Sequence, residues 1–293
     1  MRAWTESGKP TEHLEPWGTA GAFSTLRLFP KNHIPFRRDY LQRLINSAKL
    51  LQQPWIPELS EIDKKLDQYL AESTTEEGLI RICLFNESLA FADRPANSDG
   101  QPVEGWLMQY RRPVPAAKST EEKELYGRLS ELDTASEDWI IIDPKDNDIR
   151  ESATANLIFV DGHNLVIPDK KILQGIILRK LMPLLSDSFS ITRSSPIDQD
   201  ITQFEEILLC GTGRGVAPLK ELSELGWTSR SDIAFSQVRK LYNNLIEPES
   251  VLANIFSSQE RLLWESYDTT NFAWPLANVI QHSHLSKTLQ YVL

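Results

Sequence analysis

Short apolar runs of strand composition alternate with longer segments of helical periodicity along most of this chain, and that alternation places it in the α/β (α+β) class. "GAFSTLRLF" at 21–29 reads as a strand. In the stretch that follows, 37–53, Tyr40, Leu41, Leu44, Ile45, Ala48 and Leu51 recur at helical spacing with charge on the other face. A second amphipathic helix is expected from Ser60, read as its N-cap, with Asp63 in the first turn. Strands are predicted at 78–85 and 104–112, separated by a polar loop rich in Asn, Asp, Ser and Gly. "PVPAAKST" at 113–120 then predicts a stiff, extended connector, because proline excludes helix and holds the preceding residue extended. The domain boundary is placed there. This gives an N-terminal α/β domain at 1–112, a linker at 113–119, a C-terminal domain at 120–250 and an extension at 251–293.

The second half continues with a predicted helix over 120–132, a strand "DWIIIDP" at 138–144 and a hairpin, "RESATANLIFVDGHNLVIPD", at 150–169. Glu151 stands at the mouth of that hairpin, an unusual place for a carboxylate between apolar strands. A helix is expected to begin near Gly175, with Pro183 kinking or shortening it. Residues 203–222 read as a buried strand, a Gly-rich turn and a further extended segment, followed by a helix near 231–246. The last stretch is helical in pattern, and Trp264, Phe272 and Trp274 point to packing.

The chain has 293 residues and a net charge of −10, so nucleic acid and anionic membranes are not expected partners, although a local arginine cluster could still hold a small anion. The two cysteines, Cys83 and Cys210, lie inside apolar runs and give neither a disulfide framework nor a zinc site. No metal is expected. The N-terminus has no apolar signal core, and no apolar stretch reaches membrane-spanning length, which predicts a soluble, cytoplasmic protein.

The turn "CGTGRGVAP" at 210–218 invites a dinucleotide-binding reading. Such a fingerprint must open a helix whose N-terminus holds the pyrophosphate, and Pro218 leaves no room for one. A flavin-linked reductase would need Arg-x-Tyr-Ser, whereas the nearest stretch runs Arg38, Asp39, Tyr40, Leu41.

Five pieces in order carry a different resemblance. They are Arg43-Leu44 with Ser47-Ala48, a lysine after the linker, Glu151 with Asn156, "LQGI" entering a helix, and a strand ending in "GTG" followed by a proline. In this order they resemble the fold-type IV pyridoxal-phosphate enzymes over about 17–246. These are the class IV aminotransferases, with branched-chain and D-amino acid aminotransferases and aminodeoxychorismate lyase as members.

The resemblance implies two α/β domains with pyridoxal 5'-phosphate in the interdomain cleft, and a homodimer whose partner subunit contributes to the site. Such a cofactor needs an amine for its aldehyde, a carboxylate for its ring nitrogen and an anion site for its phosphate. By resemblance Lys118 is the amine and general base, with Lys123 the weaker competitor, and Glu151 is the carboxylate. Asn156 supports the hairpin or the cofactor. Arg43, Thr212, Gly213 and the N–H groups of Ile176 and Ile177 hold the phosphate.

Arg81 and Ser24 are the expected substrate contacts, and Ser24, where aminotransferases usually carry glutamate, leans the reading toward lyases. The chain departs from the pattern at Ile177, which replaces a threonine, and at Arg179, displaced by one position. The function expected is that of a lyase forming 4-aminobenzoate and pyruvate from aminodeoxychorismate. The alternatives are a branched-chain or other amino acid aminotransferase, and a non-catalytic homologue.

Overall fold

The computed structural model describes residues 2–11 and 16–247. The extension 251–293, with Trp264, Phe272 and Trp274, lies outside the described residues. The first sheet contains β1 (Arg2–Thr5), β2 (Pro10–Thr11), β3 (Gly21–Leu28), β4 (Gly78–Phe85) and β5 (Ser88–Arg94), in the order β2-β1-β5-β4-β3. Helices α1 (Arg37–Leu50) and α2 (Leu59–Glu72) cover one face of it. The predicted stripe of α1 is what it buries, with Leu41, Leu44 and Ala48 wholly inaccessible. Each buried leucine of this kind contributes roughly 1.5–3 kcal/mol.

Several local expectations are corrected. Helix α2 starts one residue before Ser60 and is capped by the extended backbone of Glu58, without a side-chain bond. Within the loop predicted between the two strands lies β5. It was hidden because its hairpin turn, Asn86-Glu87, takes positive φ at both residues (49° and 51°) without the glycine that normally marks such a turn.

The second sheet contains β6 (Val103–Gln109), β7 (Glu137–Ile142), β8 (Ile149–Ser152), β9 (Asn156–Asp161), β10 (Asn164–Val166), β11 (Ser190–Thr192), β12 (Glu206–Gly211), β13 (Gly215–Leu222) and β14 (Trp227–Thr228). Strand β8 pairs with β7 on one side and, through the single pair Glu151–Asn156, with β9 on the other, so the sheet closes on itself. Phe159, Leu209, Leu219 and Trp227 belong to the second core cluster, formed largely by residues of these strands.

Because β6 hydrogen-bonds into this second sheet, the change of sheet falls in 95–102, ahead of the Pro-rich connector. Both sheets belong to one compact unit that runs to Tyr242, and of the unit beginning at Asn243 the described residues are the end of the last helix and Glu247.

The predicted helix at 120–132 is only α3 (Lys123–Gly127) and a 3-10 turn at Arg128–Glu131, because this charged stretch offers few apolar side chains to a core. Helix α4 (Ile176–Ser188) is not ended by Pro183, and α5 spans Ile233–Ile246. Among the described residues no helix is long and apolar enough to cross a membrane.

Candidate active site

The connector is not straight. It turns at 114–117, where the Ala117 N–H donates to the Val114 carbonyl at 2.9 Å. Arg112 sits inside this turn and donates to the carbonyls of Pro115 (3.1 Å) and Ala117 (2.7 Å). Beyond the turn the chain joins the edge of β3: the Phe23 N–H donates to the Lys118 carbonyl at 2.9 Å, and Ser119 bridges Ala22. The Lys118 N–H donates to Ser47 Oγ of α1 at 3.1 Å, which gives the serine of the "RL..SA" piece a definite task.

The Lys118 backbone is thereby fixed, while its ammonium lies over the rings of Phe23 (4.7 Å) and Tyr126 (5.3 Å). Burial, then the positive charges of Arg43 and Arg112, hold its pKa well below the ordinary lysine range, against the opposing pull of Glu151 and Glu122. Lys123 is exposed and does not line the cavity described below.

Glu151 and Asn156 face each other across the β8–β9 hairpin, and both reach the segment leading into α4. Glu151 Oε2 accepts the Leu173 N–H at 3.2 Å, while Asn156 donates to the Leu173 carbonyl at 2.9 Å and accepts the Gly175 N–H at 3.0 Å. The other Glu151 oxygen lies 3.3 Å from Arg112, which is also paired with Glu122 at 3.0 Å. Burial raises the Glu151 carboxyl and Arg112 opposes the rise.

A Cβ on Gly175 would stand 2.0 Å from Asn156 Oδ1, so this position requires glycine for close approach rather than for a special φ. Gly175→Ala is therefore expected to break the clamp, at a cost of about 1–3 kcal/mol by urea denaturation, and to weaken anion binding at the start of α4.

Helix α4 has no side-chain cap, and its first residues, Ile176 and Ile177, line the cavity where their N–H groups have no partners within the helix. Arg43 extends from α1 and donates to Ser24 Oγ at 2.9 Å; its Nε is buried without a partner. Thr212 Oγ1 donates to Tyr40 Oη at 3.0 Å. Burial pushes the Tyr40 hydroxyl up to about 12, so it stays neutral. Arg179, the displaced arginine, pairs with Asp39 and is half exposed.

These groups converge on a cavity of about 370 Å³. Of the predicted site residues, Lys118, Glu151, Arg43, Asn156, Ile176, Ile177, Thr212, Gly213 and Arg81 line it. Ser24 does not. Strand alternation turns Phe23 and Thr25 toward the cavity and Ser24 away, where it donates to the Tyr40 carbonyl at 3.0 Å and accepts from Arg43. Its position is that of a support for Arg43, and the expected substrate contact is withdrawn.

Sequence reasoning passed over Arg112, Tyr40, Trp17, Tyr126, Arg94 and Arg214. Arg112 carried one usable signal, its place immediately before the proline-rich connector. The Gly-rich turn leads into strand β13, not a helix, which removes the dinucleotide reading.

The model of the family described as amino-transferase class IV matches residues 21–222. Solved structures share the fold. A branched-chain aminotransferase from Thermoproteus uzoniensis is 18% identical, with a TM-score of 0.72, covering 86% of this chain and 97% of that one. A protein described as a candidate 4-amino-4-deoxychorismate lyase from Legionella pneumophila is 19% identical, with a TM-score of 0.68, covering 78% and 91%. The PLP-bound form of a hypothetical aminotransferase from Mycobacterium tuberculosis is 18% identical, with a TM-score of 0.66, covering 85% and 100%. No match is found among curated protein sequences.

The fold is that of the fold-type IV pyridoxal-phosphate enzymes. The chain belongs to the class IV aminotransferase family, whose members are enzymes that use pyridoxal phosphate. The cavity fits that group. An unpartnered buried Arg43 Nε and free helix N–H groups stand ready for a phosphate, and an amine and a carboxylate line the remainder.

Proposed function

We propose that this enzyme acts on a carboxylate-bearing amino substrate, with Lys118 and Glu151 as its working pair, and that its reaction is the lyase one, yielding 4-aminobenzoate and pyruvate from aminodeoxychorismate. The observation that carries the reading is the placement of Lys118, Glu151 and Arg43 on one cavity. Pyridoxal phosphate, when bound, supplies an electron sink for the charge that develops at the carbon bearing the amino group.

Arg43, Thr212 and the first N–H groups of α4 would hold the phosphate. Glu151, steadied by Leu173 and Arg112, is the carboxylate that would hold the ring nitrogen, and such a pairing would favour its charged form. Lys118, biased toward its neutral amine, takes the proton from the ring carbon that bears the amino group; as the neighbouring C–O bond breaks and the ring becomes aromatic, the same amine can deliver that proton to the departing enolpyruvyl group, which leaves as pyruvate. Asn156 fixes the loop into α4, and the aromatic rings of Phe23, Tyr126 and Trp17 limit water around the amine.

The lean toward the lyase is supported by the character of the rest of the lining, which includes Arg81, Arg94, Arg214 and Trp17. A branched aliphatic side chain needs an apolar pocket, whereas guanidinium and aromatic surfaces suit an unsaturated substrate with carboxylates. The enzyme loaded with pyridoxal phosphate is expected to release 4-aminobenzoate from aminodeoxychorismate with a kcat/KM about 100-fold above that for glutamate-dependent transamination of branched-chain keto acids. Comparable or reversed values would assign it to the aminotransferases. Neither activity, with no cofactor bound, would mark a non-catalytic homologue.

A further inference from the structure

Thr212 and Glu151 serve the two ends of one ligand, and each sits beside a turn that strand pairing does not hold. The β12–β13 ladder stops at Gly211–Gly215, so residues 212–214 lie outside it. The β8–β9 ladder is the single pair Glu151–Asn156, and residues 153–155 lie beyond it. The two turns touch: a Cβ on Gly211 would stand 3.0 Å from both the Cβ of Ala155 and the carbonyl oxygen of Thr154.

Side chains join the turns to each other. Arg214, the last residue of the Gly-rich turn, donates through Nε to Thr154 Oγ1 and to Asp138 Oδ2, both at 3.2 Å. Its Nη2 donates to the carbonyls of Thr134 (3.3 Å) and Glu137 (2.5 Å). The same Asp138 oxygen accepts the hydroxyls of Thr154 and, at 2.9 Å, of Ser152. Ser152 Oγ in turn accepts the N–H groups of Thr154 (3.3 Å) and Ala155 (2.9 Å). One carboxylate on β7 therefore ties the residue after Glu151 to the residue two places after Thr212.

Stability alone is a poor reason for such an arrangement. Arg214 is 2% exposed and Asp138 wholly buried, and in a buried ion pair the lost hydration largely offsets the attraction. Apolar side chains of similar volume hold a fold as well or better. What a guanidinium with directed bonds adds is fixed geometry, here across two turns that carry groups for the same molecule.

We propose that Arg214, Asp138 and Thr154 are positioning residues, which fix the separation between the turn that holds the phosphate and the hairpin that holds the ring nitrogen, so that both grips act on one cofactor at once. This rests on the assignment of Thr212 and Glu151 to those two ends. Two weak sites joined at a matched span bind far more tightly than either alone, and that advantage falls when the span varies, even with each site intact. Arg214 and Thr154 also line the cavity, so direct contact with the cofactor is the competing account.

The test uses the full-length protein freed of cofactor and three ligands without an aldehyde: pyridoxine 5'-phosphate, pyridoxine and inorganic phosphate, with affinities from calorimetry. Thr154→Val keeps the volume and removes the hydroxyl at the centre of the network. It is expected to weaken pyridoxine 5'-phosphate about tenfold and to leave each fragment within about twofold of the parent. The loaded variant should lose pyridoxal phosphate on dialysis about tenfold faster. Thr154→Ser, which restores the hydroxyl, should match the parent throughout. Arg214→Lys, which keeps the charge and loses the fork, should resemble Thr154→Val, and where it fails to fold the valine variant decides alone.

An equal loss for all three ligands means general loosening, and a loss for one fragment as large as that for pyridoxine 5'-phosphate means direct contact. Either result, or no change at all, overturns the positioning role. The reading of the site fails by other signs. Thr212→Val must weaken inorganic phosphate and Glu151→Gln must weaken pyridoxine; if neither does, the ends are wrongly assigned, whatever the variants at 154 and 214 show.

Discussion

Lys118→Ala is expected to lower turnover by about 10⁴-fold, the upper range for loss of a positioned general base, and to abolish the near-visible absorbance of cofactor bound to a lysine. The fold should survive this change. What holds residue 118 is backbone: its N–H on Ser47 and its carbonyl under Phe23, both indifferent to the side chain. Absorbance spectra, far-UV circular dichroism and steady-state rates on one preparation check all three statements. A retained band would move the amine to another lysine.

The depressed pKa of Lys118 also has a consequence for the cofactor-free protein. Between the lowered folded value and the ordinary unfolded value of 10.5, the unfolded chain binds the extra proton, so this group's contribution to stability rises with pH across that window. Lys118→Met, which removes the charge while keeping the length, is therefore expected to raise the melting temperature of the cofactor-free protein at pH 7. The gain should shrink as pH rises across that window and vanish above the unfolded value. A gain independent of pH would mean that packing, not charge, is responsible.

What could be read in the sequence was what short-range pattern encodes. The stripe on α1 and the Glu151–Asn156 spacing are local, and the structure places their residues where periodicity and hairpin register require. Ser24 shows where that reading stops. Its neighbours Phe23 and Thr25 face the cavity, and a strand reverses direction at every residue, so a motif position read without its parity assigns the wrong side.

Arg94 and Arg214 were beyond reach for another reason. Arg94 meets Arg81 only through the register of β5, a strand concealed by a turn without glycine, and Arg214 reaches the same cavity from the other sheet. Nothing local to Arg112 tells that its partners lie ten residues on, at Glu122, and across the closed second sheet, at Glu151. Sequence reveals the types of charge present; the closure of the second sheet decides which of them share a buried volume.

Removing Arg112 should be the most damaging change to stability outside the apolar cores. Its side chain is 4% exposed and faces Glu122 and Glu151, themselves 3% and 8% exposed, so the three form a buried charge cluster beside the cavity. Breaking such a cluster from the cationic side leaves two acids uncompensated, at a cost of about 3–5 kcal/mol, whereas neutralising all partners together is often tolerated. Arg112→Met is therefore expected to lose about 3–5 kcal/mol in urea denaturation at pH 8, and Glu122→Gln added to it should recover a substantial part.

Burial already raises both carboxyls, and without the guanidinium the rise is opposed only by the charge of Lys118 and, at Glu151, by the Leu173 N–H. The folded variant then holds protons that the unfolded chain releases above about pH 4.3, so its stability falls as pH increases from there through the raised folded values. The deficit relative to the parent enzyme should thus be smaller at pH 5 than at pH 8. Because Arg112 also closes the turn that carries Lys118, by its bonds to Pro115 and Ala117, the variant at pH 5 should be folded yet bind pyridoxal phosphate poorly. A variant as stable as the parent at pH 8 would show that water reaches Glu122 and Glu151, and the low-dielectric pocket assigned to Lys118 would have to be abandoned with it.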